Sequence, residues 1–474
     1  MLTFARSFRR LRGVFPVVAL GMLAGCTTYA PVPLDVPATL AIRRETTLDP
    51  ERVAAVATAI APGANPADGP WDRLTLLAAA FIYNPDIEAA RSGVVSAQAG
   101  ARAARVGSPA TLTLSAEYAR DAAAQSPWLL GAALDLPIDR GVRRAARSGV
   151  ADIAVEIARY DEAEVIWTAR MALRRALVDR LIAERRAAGF QVVADLRARQ
   201  LAAVDRRVAA GEASRTELDR VRADGAEASR GLIDALAQAK DARLRLAAAI
   251  GLPPEALEGM TPEWKGFDEP VSDLGETVDS EIWSQAILAR ADVLKAMAAY
   301  DQAEVELRLE VARQYPALTL SPGYTWERGL VKFPVSLGLA LPPLDLNRSA
   351  IALAEARRAE AGQRLEAILA SADAAIESAR AETSAARTAL DRIRSVERPT
   401  ADRLARQADR ELSAGAIDRV EWAAAQAGAA QTRLVELDAL ARVHAADAAL
   451  EDAVRRPLEG PEILINAADV RSRP

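Results

Sequence analysis

LAAVDRRVAAGEASRTELDR, residues 201–220, breaks a long run of strong helix formers with Gly211 and places Ser214 just behind it. The arrangement returns in DRELSAGAIDRVEWAAAQ, residues 409–426, where Ala414-Gly415 stand in the place of Ala210-Gly211. Asp205, Arg206, Ala210, Gly211, Arg215 and Glu217 answer Asp409, Arg410, Ala414, Gly415, Arg419 and Glu421, each displaced by 204 residues. Chance would not hold one offset across so many positions, so one turn has been written twice. Gly ends a helix because it accepts the left-handed conformation required there. Ser or Asp behind it caps the first free N–H groups of the next helix. Each stretch therefore predicts two long helices reversing on a short turn.

The duplication reaches well beyond the turns. Asn84-Pro85-Asp86-Ile87 and Arg290-Ala291-Asp292-Val293 open matching helices 206 residues apart. Leu112-Thr113-Leu114-Ser115 and Tyr118 answer Leu318-Thr319-Leu320-Ser321 and Tyr324 at the same offset, and Leu134 and Leu136-Pro137 answer Leu339 and Leu341-Pro342. Each copy reads helix, strand, strand, long helix, turn, helix. In the first copy the helices are expected near 85–106, 140–210 and 214–250, with strands near 110–120 and 128–137. In the second they are expected near 292–313, 348–413 and 417–455, and a short helix precedes each copy, near 72–82 and 280–289. Ile153, Ile157 and Tyr160 mark one helical face, as do Leu173, Leu177 and Leu181. The 140–210 helix would be about 105 Å long, and the two shorter helices of its copy, laid end to end, would nearly match it.

This gives a division into a signal segment 1–25, an extended Pro-rich segment 26–70, a first copy 71–255, a linker 256–279, a second copy 280–456 and a tail 457–474. Arg6, Arg9, Arg10 and Arg12 precede an apolar stretch of about a dozen residues, too short to span a bilayer as a helix. It ends in Leu23-Ala24-Gly25-Cys26, the pattern of a lipoprotein signal cleaved before Cys26, whose thiol and amine then carry acyl chains. An ordinary secretory signal with an incidental Cys is the other reading.

Composition narrows the function. The chain of 474 residues is 51% hydrophobic but only 4% aromatic, so Ala and Leu carry the apolar content, as suits long packed helices. A net charge of −5, with both signs interspersed, leaves no basic face for nucleic acid. Cys26 and His444 are the sole Cys and His, which excludes a disulfide framework within the chain and leaves little for a metal or a nucleophile. There is no Gly-rich phosphate loop and no Ser-His-Asp set. A protein without catalysis or cofactor is the expectation, apart from the lipid on Cys26.

The strands point to a membrane. Leu112, Leu114, Ala116 and Tyr118 alternate with Thr111, Thr113, Ser115 and Glu117, and Val331, Phe333, Val335, Leu337, Leu339 and Leu341 alternate with more polar or smaller residues. Segments of about ten residues are long enough to cross a bilayer at a tilt. A half-buried sheet in a soluble domain shows the same alternation and stays open at this point. Four strands cannot close a barrel, and lipid tolerates no open edge. Two chains would give eight strands around a filled interior; three would give twelve around a water-filled lumen.

With Asn84-Pro85-Asp86-Ile87-Glu88-Ala89-Ala90 leading an Ala-rich helix, two Pro-led strand pairs, two Gly turns and Cys26, the chain resembles the TolC-like outer-membrane efflux channels. The resemblance covers essentially the whole chain after Cys26. It implies a mainly α, α+β membrane protein: a homotrimer whose duplicated helix-strand-strand-helix units form a 12-stranded β-barrel and a long α-helical tunnel in the periplasm. It also implies docking to a periplasmic adaptor and an inner-membrane transporter of RND type, in the outer membrane of a Gram-negative cell. The Gly turns would form the periplasmic tip, with Arg207, Gly211, Ser214, Leu218, Gly415 and Asp418 facing the adaptor. The family narrows its tunnel with acidic residues six positions after each turn Gly, which are Glu217 and Glu421 here. Thr216 matches a latch position. The Tyr and Arg of the family's second-turn latch are replaced by Leu412 and Ile417, and Ala424 stands where a second acidic ring would be. Arg215 and Arg419 are then the candidates for holding the closed tip. Other readings are a coiled-coil envelope lipoprotein that scaffolds without a channel, and a type I protein secretion conduit.

Overall fold

The computed structural model describes residues 29–62, 71–107, 109–118, 127–138, 141–270, 286–327 and 330–465. Cys26 and the signal segment lie outside them, as does most of the short helix expected near 280–289. The chain divides into a unit of residues 1–46 and a unit of residues 47–474. In the first, α1 (Val36–Glu45) starts where the Asp35 carboxylate accepts a hydrogen bond from Ala38 N at 3.0 Å. In the second, α2 (Pro50–Ile60) is capped in the same way by Asp49. These helices replace the extended backbone expected over 26–70. Pro belongs in the first turn of a helix, where its missing N–H costs nothing, and an Asp just ahead supplies the cap.

The first copy follows as α3 (Arg73–Tyr83), α4 (Pro85–Arg105), β1 (Thr111–Tyr118), β2 (Trp128–Ile138), α5 (Gly141–Ala209) and α6 (Arg215–Ile250). The second copy is α7 (Ala291–Ala312), β3 (Ala317–Glu327), β4 (Leu330–Lys332), β5 (Val335–Ala340), α8 (Arg348–Arg392), α9 (Arg398–Ser413) and α10 (Arg419–Val454). At 69 residues α5 is about 104 Å long. Both α4 and α6 pack along it. Asn84 joins them end to end: its Oδ1 caps α4 through Asp86 N at 2.9 Å, while its Nδ2 donates to Ala249 O of α6 at 3.0 Å. The second copy repeats the joint with different chemistry. There Arg290 donates to Ala453 O and pairs with Asp292. The residue closing the second helix is left-handed in both copies, Gly251 at φ 93° and Arg455 at φ 55°. Arg455 is held in that conformation by ion pairs to Glu164 and Asp452.

The helix expected over 348–413 is divided. Residues Ile393–Glu397 form a π turn between α8 and α9. Pro399 is the cause, since proline offers no N–H and its ring collides with the carbonyl four residues back; one extra residue in the turn relieves the clash. Glu436 of α10 clamps the turn through Arg394 and Arg398, both at 2.9 Å.

The strands form an antiparallel sheet in the order β1-β2-β3, with β4 and β5 pairing consecutive parts of β3. The single strand expected over 331–341 is thus broken at Phe333-Pro334, where Pro334 O accepts from Gly323 N at 2.8 Å. Cross-strand partners share a face, and the register sorts them cleanly. One face carries Thr111, Thr113, Ser115, Gly131, Ala133, Asp135, Thr319, Ser321, Thr325 and Ser336; the other carries Leu112, Leu114, Leu130, Leu134, Leu318, Leu320, Tyr324, Leu337 and Leu339. Among the described residues nothing covers the apolar face: Leu114 is 72% exposed and Leu337 61%. Contiguous apolar surface of this kind is rare on soluble monomers and marks a protein- or membrane-facing surface.

The main core lies elsewhere, where α2, α3, the middle of α5 and the end of α6 meet around Val53, Leu76, Leu173, Leu177, Leu246 and Ile250. Leu173 and Leu177 are the helical face expected there.

Candidate functional site at the paired helical turns

Both Gly turns form as expected and are built alike. Gly211 has φ 75° and Gly415 φ 73°. In the first, Glu212 N donates to Arg207 O at 2.8 Å and Gly211 N to Val208 O at 3.0 Å; in the second, Ala416 N donates to Glu411 O at 2.8 Å and Gly415 N to Leu412 O at 3.1 Å. These reverse bonds satisfy carbonyls that the helix end leaves free. Ser214 Oγ then accepts from Glu217 N at 3.1 Å, and Asp418 Oδ1 accepts from Val420 N at 2.8 Å and Glu421 N at 2.9 Å. Capping is therefore what Ser214 and Asp418 do within the chain.

The two turns lie side by side. Arg207 Nη1 donates to Asp418 Oδ2 at 2.7 Å, and Ala203, Val204, Leu218, Val221 and Val420 form a small apolar cluster beneath them. Leu218, expected on the partner-facing surface, is instead 6% exposed inside that cluster. The cleft between the hairpins, about 340 Å³, is lined by Ala203, Arg206, Arg207, Glu212, Asp418, Arg419 and Val420.

Among the described residues, the carboxylates of Glu217 and Glu421 take part in no hydrogen bond or ion pair. Arg215 and Arg419, proposed above to hold the tip, make no ion pair there either; the link between hairpins is Arg207–Asp418. Thr216 is exposed. Two contacts within the second hairpin escaped the sequence reading: Asp409 Oδ1 accepts from Trp422 Nε1 and from Gln426 Nε2, each at 2.8 Å.

A second polar cluster, also unforeseen, sits beside the main core. Arg174 pairs with Glu451 at 2.8 Å and Glu459 at 3.0 Å, Arg170 with Glu451 at 2.9 Å, and Arg73 with Glu459 at 3.0 Å and Glu462 at 3.1 Å. His444 stacks on Phe267, and its Nε2–H donates to Phe267 O at 2.8 Å. Burial pulls the His444 imidazole down to about 4 and pushes the Asp447 carboxyl up. The signal lay in Arg170 and Arg174, which share the helical face of Leu173 and Leu177 and so enter the core. These groups pair among themselves and join the tail to α5 and α10. Among the described residues, no set of three His, Cys, Asp or Glu is placed to hold a metal ion, and no helix is long and apolar enough to cross a membrane.

The family model of the outer membrane efflux protein matches residues 76–252. The cobalt-zinc-cadmium resistance protein CzcC of Cupriavidus metallidurans is 27% identical over 276 residues, which is 58% of this chain and 63% of that protein. The chain thus spans less than two thirds of that relative. Among solved structures, the open-state outer membrane channel MtrE of Neisseria gonorrhoeae superposes with a TM-score of 0.67 at 18% identity, covering 87% of this chain and 94% of that one. The outer membrane protein VceC of Vibrio cholerae gives 0.65 at 17%, covering 82% and 97%. A membrane protein from Pseudomonas aeruginosa gives 0.67 at 19%, covering 81% and 90%. At these identities the likeness is one of fold: long helices contributing to a tunnel and strands contributing to a β-barrel.

Proposed function

We propose that the chain is an outer membrane efflux protein, as the match of residues 76–252 to that family model and the likeness to CzcC support, and that three copies form the outer-membrane conduit of a tripartite export system. The observation that carries this reading is the way the two copies of the unit join inside one chain. The helices of residues 47–474 lie in the sequence α4 with α6, then α5, then α7 with α10, then α8 with α9. The inner junction, of α5 with α7 and α10, continues into the pairing of β2 with β3. The outer edges are the same two kinds of surface left without a neighbour: α6 and β1 on one side, α9, β4 and β5 on the other.

Repeating the inner junction between chains would pair unlike edges, a head-to-tail association that makes a ring where the rotation per unit closes. Ile233, Leu236 and Leu244 make an exposed apolar stripe on α6, and Val396 and Leu404 are exposed at the opposite edge. Six units, from three chains, would give twelve strands. The apolar sheet face then meets lipid and the hydroxyl-bearing face lines water, with no free edge in the bilayer.

The conduit performs no chemistry. The paired turns would meet a periplasmic adaptor, with the cleft between hairpins as its seat, and the adaptor would join an energy-coupled pump of the inner membrane. Unpaired Glu217 and Glu421 would stand as carboxylate rings near the tip. Acyl chains on Cys26 would add an anchor in the outer membrane. The metals in CzcC's name belong to that protein.

The test is the mass of the detergent-extracted protein together with conductance in planar bilayers. A particle of three chains that produces discrete current steps is expected. A monomer, or a membrane that stays silent, would overturn the conduit in favour of a scaffolding role.

A further inference from the structure

The polar face of the sheet carries a feature that the tip does not explain. In β2, a single carboxylate interrupts an otherwise uncharged strand: Asp135, set directly opposite Thr111 of β1. Ser321 Oγ of β3 donates to Asp135 Oδ1, and Thr113 Oγ1 donates to Oδ2 at 3.3 Å. Ser321 is itself opposite Ser336 of β5. One level of the sheet therefore reads Thr111, Asp135, Ser321, Ser336, with a hydroxyl on every strand but one and a carboxylate on that one.

Other charges on this face are placed differently. Glu327 forms an ion pair with Lys332 on the neighbouring strand. Glu117 pairs with Leu129 near the end of the sheet, next to Tyr118 and Trp128. Asp135 lies inside the span and meets only hydroxyls among the described residues. Neutral donors fix its two oxygens without cancelling its charge.

We infer that Asp135 is a charge-selecting residue of the barrel, distinct from any acidic ring at the tip, and that it favours inorganic cations over anions in transit. The inference rests on the three-chain conduit proposed above. Closure would bring three such levels into one belt of three carboxylates and nine hydroxyls around the lumen. Carboxylate rings raise the local concentration of cations and repel anions. Asp135 is half-buried within the chain, and across a water-filled lumen its influence would act through water and weaken with salt. The Debye length falls from ~30 Å at 0.01 M to ~8 Å at 0.15 M. Selectivity from this belt should therefore be greater at low ionic strength.

The experiment is the reversal potential of the full chain in planar bilayers under a KCl gradient, at low and at physiological salt. Wild type should prefer K⁺, more so at low salt. Asp135→Asn, which keeps an oxygen acceptor for one hydroxyl and turns an N–H donor to the other, should move the reversal potential toward zero with the step conductance retained, and Asp135→Glu should hold it near the wild-type value. Thr111→Lys, which sets an ammonium opposite the carboxylate, should also move it toward zero and serves if Asp135→Asn does not assemble. Steps of unchanged selectivity in Asp135→Asn, or in Thr111→Lys where that variant stands in, overturn the inference while leaving the conduit intact. The absence of current steps in wild type overturns the conduit, and the role of Asp135 with it.

Discussion

Arg207 Nη1 lies 2.7 Å from Asp418 Oδ2, and this contact ties the first helical hairpin of the chain to the second. Its two ends are not equivalent positions of the repeat. The position matching Arg207 is Glu411, and the one matching Asp418 is Ser214. The bond thus runs one way across the junction inside the chain, and the reciprocal pair, Glu411 with Ser214, would face each other only between chains.

The pair is partly exposed, at 36% and 43% for the two side chains, so it contributes at most about 1 kcal/mol to stability. Its larger effect should be on where the hairpins sit. Asp418→Asn preserves the helix cap and removes the charge. It should leave thermal stability within about 1 kcal/mol of wild type and increase the frequency of open events in single-channel recordings. Arg207→Asp, which sets two carboxylates against each other, should increase it further. Opening frequencies equal to wild type in both variants would remove this pair from the closed state.

Much of this site was legible because turns are local objects. Gly211 and Gly415 declare left-handed backbone, and Ser214 and Asp418 declare caps, whatever else surrounds them. The two-faced strands were equally plain, since alternation is set residue by residue. Three kinds of feature were not. The π turn follows from Pro399 but depends on Glu436 coming from a distant helix to hold it. Leu218 looked like surface beside a turn and is buried because the other hairpin covers it. The salt-bridged cluster joins residues as far apart as Arg73 and Glu459; periodicity marks Arg174 as inward-facing but names no partner for it.

The turn glycines allow a clean measurement. A Cβ at Gly211 or Gly415 would meet nothing within 4 Å, so any cost of substitution is conformational. Gly211→Ala and Gly415→Ala should each destabilise by about 1 kcal/mol, the penalty for a left-handed L-residue. Asn, which tolerates this region better, should cost less. Urea midpoints for the four variants give the comparison, and equal stability of Ala and Gly forms would mean the turn rearranges.

Arg174 is 1% exposed and Glu451 fully buried. Removing one partner of such a pair strands the other charge, at a cost of about 3–5 kcal/mol. Arg174→Met should therefore lower the unfolding midpoint far more than any tip variant, even though Arg170 and Arg73 remain to share Glu451 and Glu459. A loss below about 1 kcal/mol, the scale of a surface pair, would mean that the neighbouring arginines compensate.

Glu421 offers a contrast with the barrel. Its carboxylate follows Asp418 on the first turn of α10, where Glu421 N is held by the cap. Glu421→Gln keeps size and helix propensity, so folding should be unaffected while the preference for K⁺ over Cl⁻ declines. An unchanged reversal potential under a salt gradient would exclude it from the ion path.

His444 makes stability depend on pH in a defined window. The folded chain holds its imidazole neutral with a pKa of about 4, against an ordinary value of 6.5, chiefly through burial and also through the nearby Arg174 and Arg73 guanidinia. The unfolded chain binds a proton as pH falls through 6.5, whereas the folded chain does not until about 4. Stability from this group is thus full above pH 6.5 and declines between 6.5 and about 4, by about 3 kcal/mol in all. The raised carboxyl of Asp447 acts in the opposite sense, because its protonation favours the folded state. His444→Gln removes the imidazole alone, so the difference between wild type and variant isolates its share. Urea unfolding at steps between pH 7 and pH 4 should show the wild type losing stability relative to the variant as acidity rises. A constant difference across that range would mean that His444 takes up its proton equally well in both states.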